Sequence, residues 1–270
     1  MQVEILKKAD VKYLDRFLLD RGLVRPVHYE ILEQIPRDHF RIWCVKQGVY
    51  QMPTCELIAW LQQEINGRSA IEICAGRSCL GRYLGIHMVD NYMHCLPEMN
   101  FMYSMLGQQP TQPLDDVERL DANEAVLKYQ PQVVIGAWVT QKRFGNVPDA
   151  NPFGPDESAI LDSGCSYIHI GNKSPHGKKR IRLRPHRELH FPWLVSREVD
   201  PTLNCIWVWD SSIASWRGSF IDLIRDGCLQ VLAMSLPKRL WWQTLFILSA
   251  GGWPMDGTIL QLELSLHRPV

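Results

Sequence analysis

Two carboxylates, Glu72 and Asp90, stand eighteen residues apart in the stretch AIEICAGRSCLGRYLGIHMVDN (70–91), with Cys74-Ala75-Gly76-Arg77-Ser78 between them. These residue types in this order have a chemical use. Small residues where a strand turns sharply into a helix let a ligand approach the backbone amides of a helix N-terminus. A carboxylate at the end of the following strand can then bond ribose hydroxyls. Glu72, Cys74, Ala75, Gly76 and Asp90 are therefore candidate cofactor-binding residues. A dinucleotide fingerprint would want glycine at three positions of this turn, which hold Cys74, Gly76 and Cys79. Pyrophosphate demands the closest backbone approach, so the turn argues against NAD or FAD.

The elements that position these residues can be read outward from the turn. Ala70–Cys74 is short, apolar and β-branched, as a buried parallel strand should be. Leu80, Tyr83 and Leu84 give a helical face closed by Gly85, and Ile86–Val89 is a second strand ending at Asp90. Val117–Leu120 predicts a third strand and Asn123–Tyr129 a helix. Gln132–Val139 is the strongest strand and marks the sheet centre. A short helix over 156–164, a strand at Tyr167–Ile170 and a sixth at Cys205–Trp209 follow. Alternation of this kind predicts an α/β fold with a doubly wound, mostly parallel sheet. Ligands of such sheets bind beyond the carboxyl ends of the strands, so Trp138, Thr140, Gln141 and Lys142 should face the site.

Upstream, residues 1–50 read as a helical N-terminal annex. Val11, Leu14, Phe17 and Leu18 share one face, and Ile31, Leu32 and Ile35 another that ends at Pro36. Thr54 is a good N-cap for a third helix with Leu57, Ile58, Leu61 and Ile65 inward. Residues 51–210 make the main domain and 211–270 a C-terminal extension. Its alternating stretch Thr258–Leu266 could close the sheet as an antiparallel strand, or belong to an appendage or a homo-oligomer surface.

The pattern E-I-x-A-G-x-x-x-L-G-R-x-L-G-I ending in an aspartate resembles bacterial class I S-adenosylmethionine-dependent methyltransferases, mostly of unassigned substrate. Y-Q-M-P-T followed by E-L-I-x-W-L (50–61) resembles the segment that precedes the first strand in the same proteins. The resemblance fades near Trp209. It implies a Rossmann-like domain, S-adenosylmethionine as cofactor, a lid carrying Tyr50, and Asp121-Ala122 near the adenine amino group. Asp121 reads equally as the N-cap of the helix after it, and the lid as an ordinary capped helix. The family pattern runs E-x-G-x-G-x-G, and Cys74 and Ser78 occupy its first and third glycines. That departure favours the alternative of a catalytically silent binding or scaffold protein on the same fold.

The acceptor is less legible. No Asp/Asn-Pro-Pro-aromatic motif follows the central strand, which continues Ala137-Trp138-Val139-Thr140, and no Pro-Cys pair supplies a thiolate. DNA base methylation is therefore disfavoured. His176 and Lys142 are the candidate bases. Between Lys173 and Arg187 lie seven lysines and arginines and no acid. They suggest an anionic small-molecule or nucleic-acid acceptor, with Thr140, Asn172, Lys178 and Arg180 as candidate substrate-binding residues. The same charges would also suit an edge strand burying Ile181 and Leu183. Five methionines between Met88 and Met105 read as adaptable core filling.

Composition bounds the rest. Acidic and basic residues balance at 29 each, so no global field selects nucleic acid or membrane. Eight cysteines without a C-x-x-C pair disfavour a metal site and suit a reducing compartment. The N-terminus lacks a basic-then-apolar leader, and the apolar run 240–253 is too short to span a bilayer. A cytoplasmic location without membrane contact is the expectation.

Overall fold

A computed structural model of the chain describes residues 10–77, 80–105, 110–142 and 151–211. Among the described residues seven strands form one sheet: β1 (Ala70–Ile73), β2 (His87–Asp90), β3 (Glu118–Arg119), β4 (Val133–Ala137), β5 (Ser166–Asn172), β6 (Arg187–Leu189) and β7 (Asn204–Trp209). Their spatial order is β3-β2-β1-β4-β5-β7-β6. The first five run parallel, with Ile73 opposite Val89 on one side and Gly136 on the other. β7 runs antiparallel to both of its neighbours, β5 and β6. This is a Rossmann-like, doubly wound, mostly parallel sheet.

Strand order reverses between β1 and β4. The chain builds outward through β2 and β3, then returns across β1 to start β4 and proceed the other way. Both faces of the sheet are covered, which is why its central strands are continuously apolar. Val134 and Tyr167 pack on one face with Ala125, Val126, Ile160 and Leu161, from the helices Ala122–Tyr129 and Glu157–Asp162. Val133, Ile135 and Ile168 pack on the other with Leu57, Leu61 and Ile65 of the helix Cys55–Ile65. That helix starts as predicted, with Thr54 Oγ1 accepting from the Leu57 amide at 3.1 Å.

The annex holds one helix that periodicity did not reveal. The helix Tyr29–Glu33 ends three residues before Pro36, which is the N-cap of another, Arg37–Gln47, that buries Phe40, Ile42, Trp43 and Cys44. Apolar residues at 42, 43 and 44 obscure its 3.6-residue period. Leu14, Leu18 and Leu32 pack beneath it, whereas Phe17 and Ile31 are exposed.

Three further expectations change. The strand expected over 205–209 is present as Asn204–Trp209, but it is inserted between β5 and β6 and runs antiparallel to both, so it does not extend the sheet in chain order. The edge strand begins at Arg187; Arg180–Leu183 is instead a 3-10 turn that buries Ile181 and leaves Leu183 91% exposed. Of the five methionines, Met88 is buried but Met102 and Met105 are exposed, so core filling describes only the first. The chain divides into two units, Met1–Ser215 and Trp216–Val270. Thr258–Leu266 and the apolar run 240–253 lie outside the described residues, as does Ser78. Among the described residues, no helix is long and apolar enough to cross a membrane.

Candidate functional site

A cleft opens at the carboxyl ends of β1, β2 and β4, where the strand order reverses. Its cavity holds about 130 Å³ and opens to solvent. Its floor is the turn after β1. Cys74 and Gly76 both take left-handed backbone, φ 52° and 54°. Glycine suits this backbone at position 76, where a Cβ would also press on Thr111 Cγ2 at 3.0 Å. Cys74 adopts the conformation in spite of its side chain, and burial raises its thiol pKa well above the ordinary value.

Asp90 ends β2 inside the cleft and is buried. Its Oδ2 accepts from the Gly76 amide at 3.0 Å and its Oδ1 from the Tyr92 amide at 2.7 Å. One carboxylate thus ties the turn after β1 to the end of β2 and still has lone pairs for a ligand. Glu72 works one layer below. It is buried, accepts from the Leu80 and Gly81 amides at 3.2 and 2.7 Å, and so caps the helix Leu80–Leu84. Burial pushes its pKa up to about 7.

The opposite wall is aromatic. Trp138 follows β4 with φ 59°, and its ring lies 5.8 Å from that of Tyr50 and 5.2 Å from that of His176. Its indole N–H donates to Gln51 Oε1 at 3.3 Å, while the Gln51 amide donates to the Val195 carbonyl at 2.8 Å. Tyr50 and Tyr103 share a hydroxyl hydrogen bond at 3.0 Å, and His94 packs on Tyr103. Burial lowers the His94 pKa and raises that of Tyr103.

The cleft brings together Tyr50, Cys74, Ala75, Gly76, Asp90, Trp138 and Thr140 of the residues singled out from sequence. The others stand elsewhere. Asp121 N-caps the helix Ala122–Tyr129, accepting from the Asn123 and Glu124 amides, and Ala122 is buried in the core beneath it. Lys142 is exposed and bridges to Asn151. His176 is buried behind Trp138; its Nδ1 accepts from the Asn172 amide at 3.2 Å, and burial brings its pKa down to about 3. The Asn172 side chain is consumed by the Ser174 amide, the Asp200 carbonyl and Asn204.

The basic segment is largely neutralised. Lys179 is buried and pairs with Glu157 at 2.6 Å. Lys173 and Arg182 pair with Glu188, Arg184 with Asp162, and Arg187 with Glu64 and Asp210. Lys178 and Arg180 are exposed and are not part of the cleft. Glu188 lies beside the segment, but Glu64, the partner of Arg187, lies 123 residues away in the chain, where local sequence could not reveal it.

Sequence reasoning missed Gln51, Asn91, His94, Tyr103 and Phe153, all of which line the cleft. The length of the Met- and Tyr-rich stretch after Asp90 was the available signal. Asn91 Nδ2 donates to the Phe153 carbonyl at 2.8 Å and joins that stretch to the segment after β4.

No family model and no curated protein matches the chain. Among solved structures, SMU.776, named as a methyltransferase and crystallised with SAH, aligns at 10% identity and TM-score 0.29. The alignment covers 55% of this chain and 48% of that one, so the chain spans about half its length. Thermoplasma acidophilum 1320 aligns at 13% identity and TM-score 0.28, over 63% of this chain and 92% of the other. Likenesses this distant carry no argument about activity.

Proposed function

We propose that the chain is a methyltransferase that binds S-adenosylmethionine in this cleft. One observation carries the reading: the Asp90–Gly76 contact, which sets a buried carboxylate against the backbone of a strand-to-helix turn at the point where strand order reverses. In open α/β sheets that crevice is where nucleoside ligands bind, with an acidic residue after the second strand on the ribose. Asp90 would hold the ribose hydroxyls, and the backbone of Ala75 and Gly76 would approach the methionine end. Glu72 acts through the helix it caps, so it is a positioning residue. When bound, the cofactor supplies an electrophilic methyl group on a sulfonium. Alignment can account for much of the rate in such transfers, and Trp138, Thr140 and Tyr50 form the wall that would orient an acceptor.

The Cys74 thiol, where the family pattern has glycine, favours a second reading: a module that binds this ligand or a relative without turnover. Calorimetric titration with S-adenosylmethionine and its demethylated product tests the first step. Binding of both, weakened in Asp90→Ala, supports the cofactor reading, and methyl transfer then separates enzyme from silent binder. No binding of either to the folded chain overturns the methyltransferase reading and leaves a scaffold, or a binder of another ligand, on this fold.

A further inference from the structure

The aromatic wall of the cleft also bears on what faces it. Trp138 is held rigidly by its backbone, by Gln51 and by the edge-on ring of His176. Tyr50, Tyr103 and His94 continue the surface; burial raises the Tyr103 pKa and lowers that of the half-buried His94, which favours the uncharged form of both. Among the described lining residues, the ionised side chains are Asp90 and Arg77. Both belong to the turn side: Asp90 holds the Gly76 amide, and Arg77 reaches the Gly22 carbonyl at 3.3 Å.

An anionic ligand pressed against the wall would lose water and gain no lysine from the basic segment, whose buried member already faces Glu157. A cation would meet aromatic faces but be repelled by Arg197. The same charge would, with Arg77, attract an anion, and Asp90 opposes it, so a ligand of either sign exchanges full hydration for a mixed field. The Arg197 guanidinium lies 3.4 Å from the Tyr50 ring centroid, and its charge bears on His94 and Tyr103. A neutral ring is spared that exchange. It gains apolar area and offset or edge contacts with fixed aromatic partners.

We infer that the acceptor is an uncharged planar ring compound seated against Trp138, rather than a phosphorylated or sulfated molecule or a nucleic-acid backbone. Naming it the acceptor rests on the methyltransferase reading; the ring site itself does not.

The test uses the full chain and three probes with one ring system: naphthol, naphthalenesulfonate and naphthyltrimethylammonium. Each is titrated calorimetrically at neutral pH, with and without S-adenosylhomocysteine. Naphthol is expected to bind with one equivalent, about tenfold or more tighter than either charged probe. Trp138→Ala should weaken it by about tenfold, and Trp138→Phe, which keeps a ring should the alanine variant fail to fold, should retain most of the affinity. Leu183→Ala, on an exposed residue outside the cleft, controls for unspecific adsorption and should change nothing. Tighter binding of either charged probe, or naphthol affinity indifferent to both Trp138 variants in folded protein, overturns the inference. S-Adenosylhomocysteine binding without naphthol binding removes the acceptor class and leaves the cofactor reading standing. Trp138-dependent naphthol binding without S-adenosylhomocysteine binding does the reverse.

Discussion

Cys74 is the residue at which the turn meets both stability and ligand, and replacing it separates the two. Its φ of 52° lies in the left-handed region, where a Cβ costs about 1–2 kcal/mol. Glycine removes that strain but loses more chain entropy on folding, about 0.5–1 kcal/mol. It also gives up the packing of a partly buried side chain on the core cluster, about 1 kcal/mol. The net change for Cys74→Gly is therefore within about 1 kcal/mol of zero. Alanine gives up the thiol and keeps the strain, so Cys74→Ala should be the less stable of the two by about 1 kcal/mol. That order reverses the usual preference for alanine over glycine. Urea unfolding of the three proteins, compared at equal m, measures it. Opening the turn should also tighten S-adenosylmethionine binding in Cys74→Gly, and further in Cys74→Gly/Ser78→Gly, by calorimetry. A Cys74→Ala protein more stable than Cys74→Gly would refute the strain argument. Loss of more than about 2 kcal/mol in the glycine variant would show that packing of the thiol had been underestimated.

Asp90→Ala should weaken cofactor binding by about 1.5–3 kcal/mol, the worth of hydrogen bonds to a charged group; calorimetry on folded protein that returns wild-type affinity would remove Asp90 from the site. Removing the buried cation in Lys179→Met should destabilise the fold by about 3–5 kcal/mol, because Glu157 is left buried and unpaired. Lys179→Met/Glu157→Gln should recover much of that loss in urea unfolding, and a double variant no better than the single one would contradict the pairing. The pH dependence has a definite sign. His176 titrates near 3 in the folded chain against an ordinary 6.5, so below pH 6.5 the unfolded chain takes up a proton that the native state refuses. This contribution to stability is present above 6.5 and lost as pH falls, by about 1.4 kcal/mol per unit. Glu72, raised to about 7 from 4.5, runs the other way: its contribution is present below 4.5 and lost as pH rises toward 7. His176→Gln should therefore flatten the acid side of the stability profile and Glu72→Gln the neutral side; unfolding midpoints taken across pH 3–8 that move in parallel for all three proteins would rule both assignments out.

The sequence alone determined the parts of this protein that depend on neighbours in the chain. Ala70–Ile73, the helix after it and Asp90 were legible because strand, turn and carboxylate follow one another within some twenty residues. Thr54 and Asp121 were legible as caps for the same reason: an N-cap bonds amides two or three residues ahead. The continuous apolar run of Val133–Ala137 marked the sheet centre because both faces of that strand are covered.

Tertiary structure decided what depends on residues far apart. Whether Lys179 is a ligand-binding cation or half of a buried ion pair turned on Glu157, and the fate of Arg187 on Glu64. Strand direction at Asn204–Trp209 was equally hidden, because a two-residue period is the same in parallel and antiparallel pairing. The aromatic wall was least legible of all. Tyr50, His94, Tyr103 and Trp138 come from three separate segments, and only the fold brings them to one cleft. Periodicity reports which residues face a core, and a ligand site is built from residues that face neither core nor bulk water.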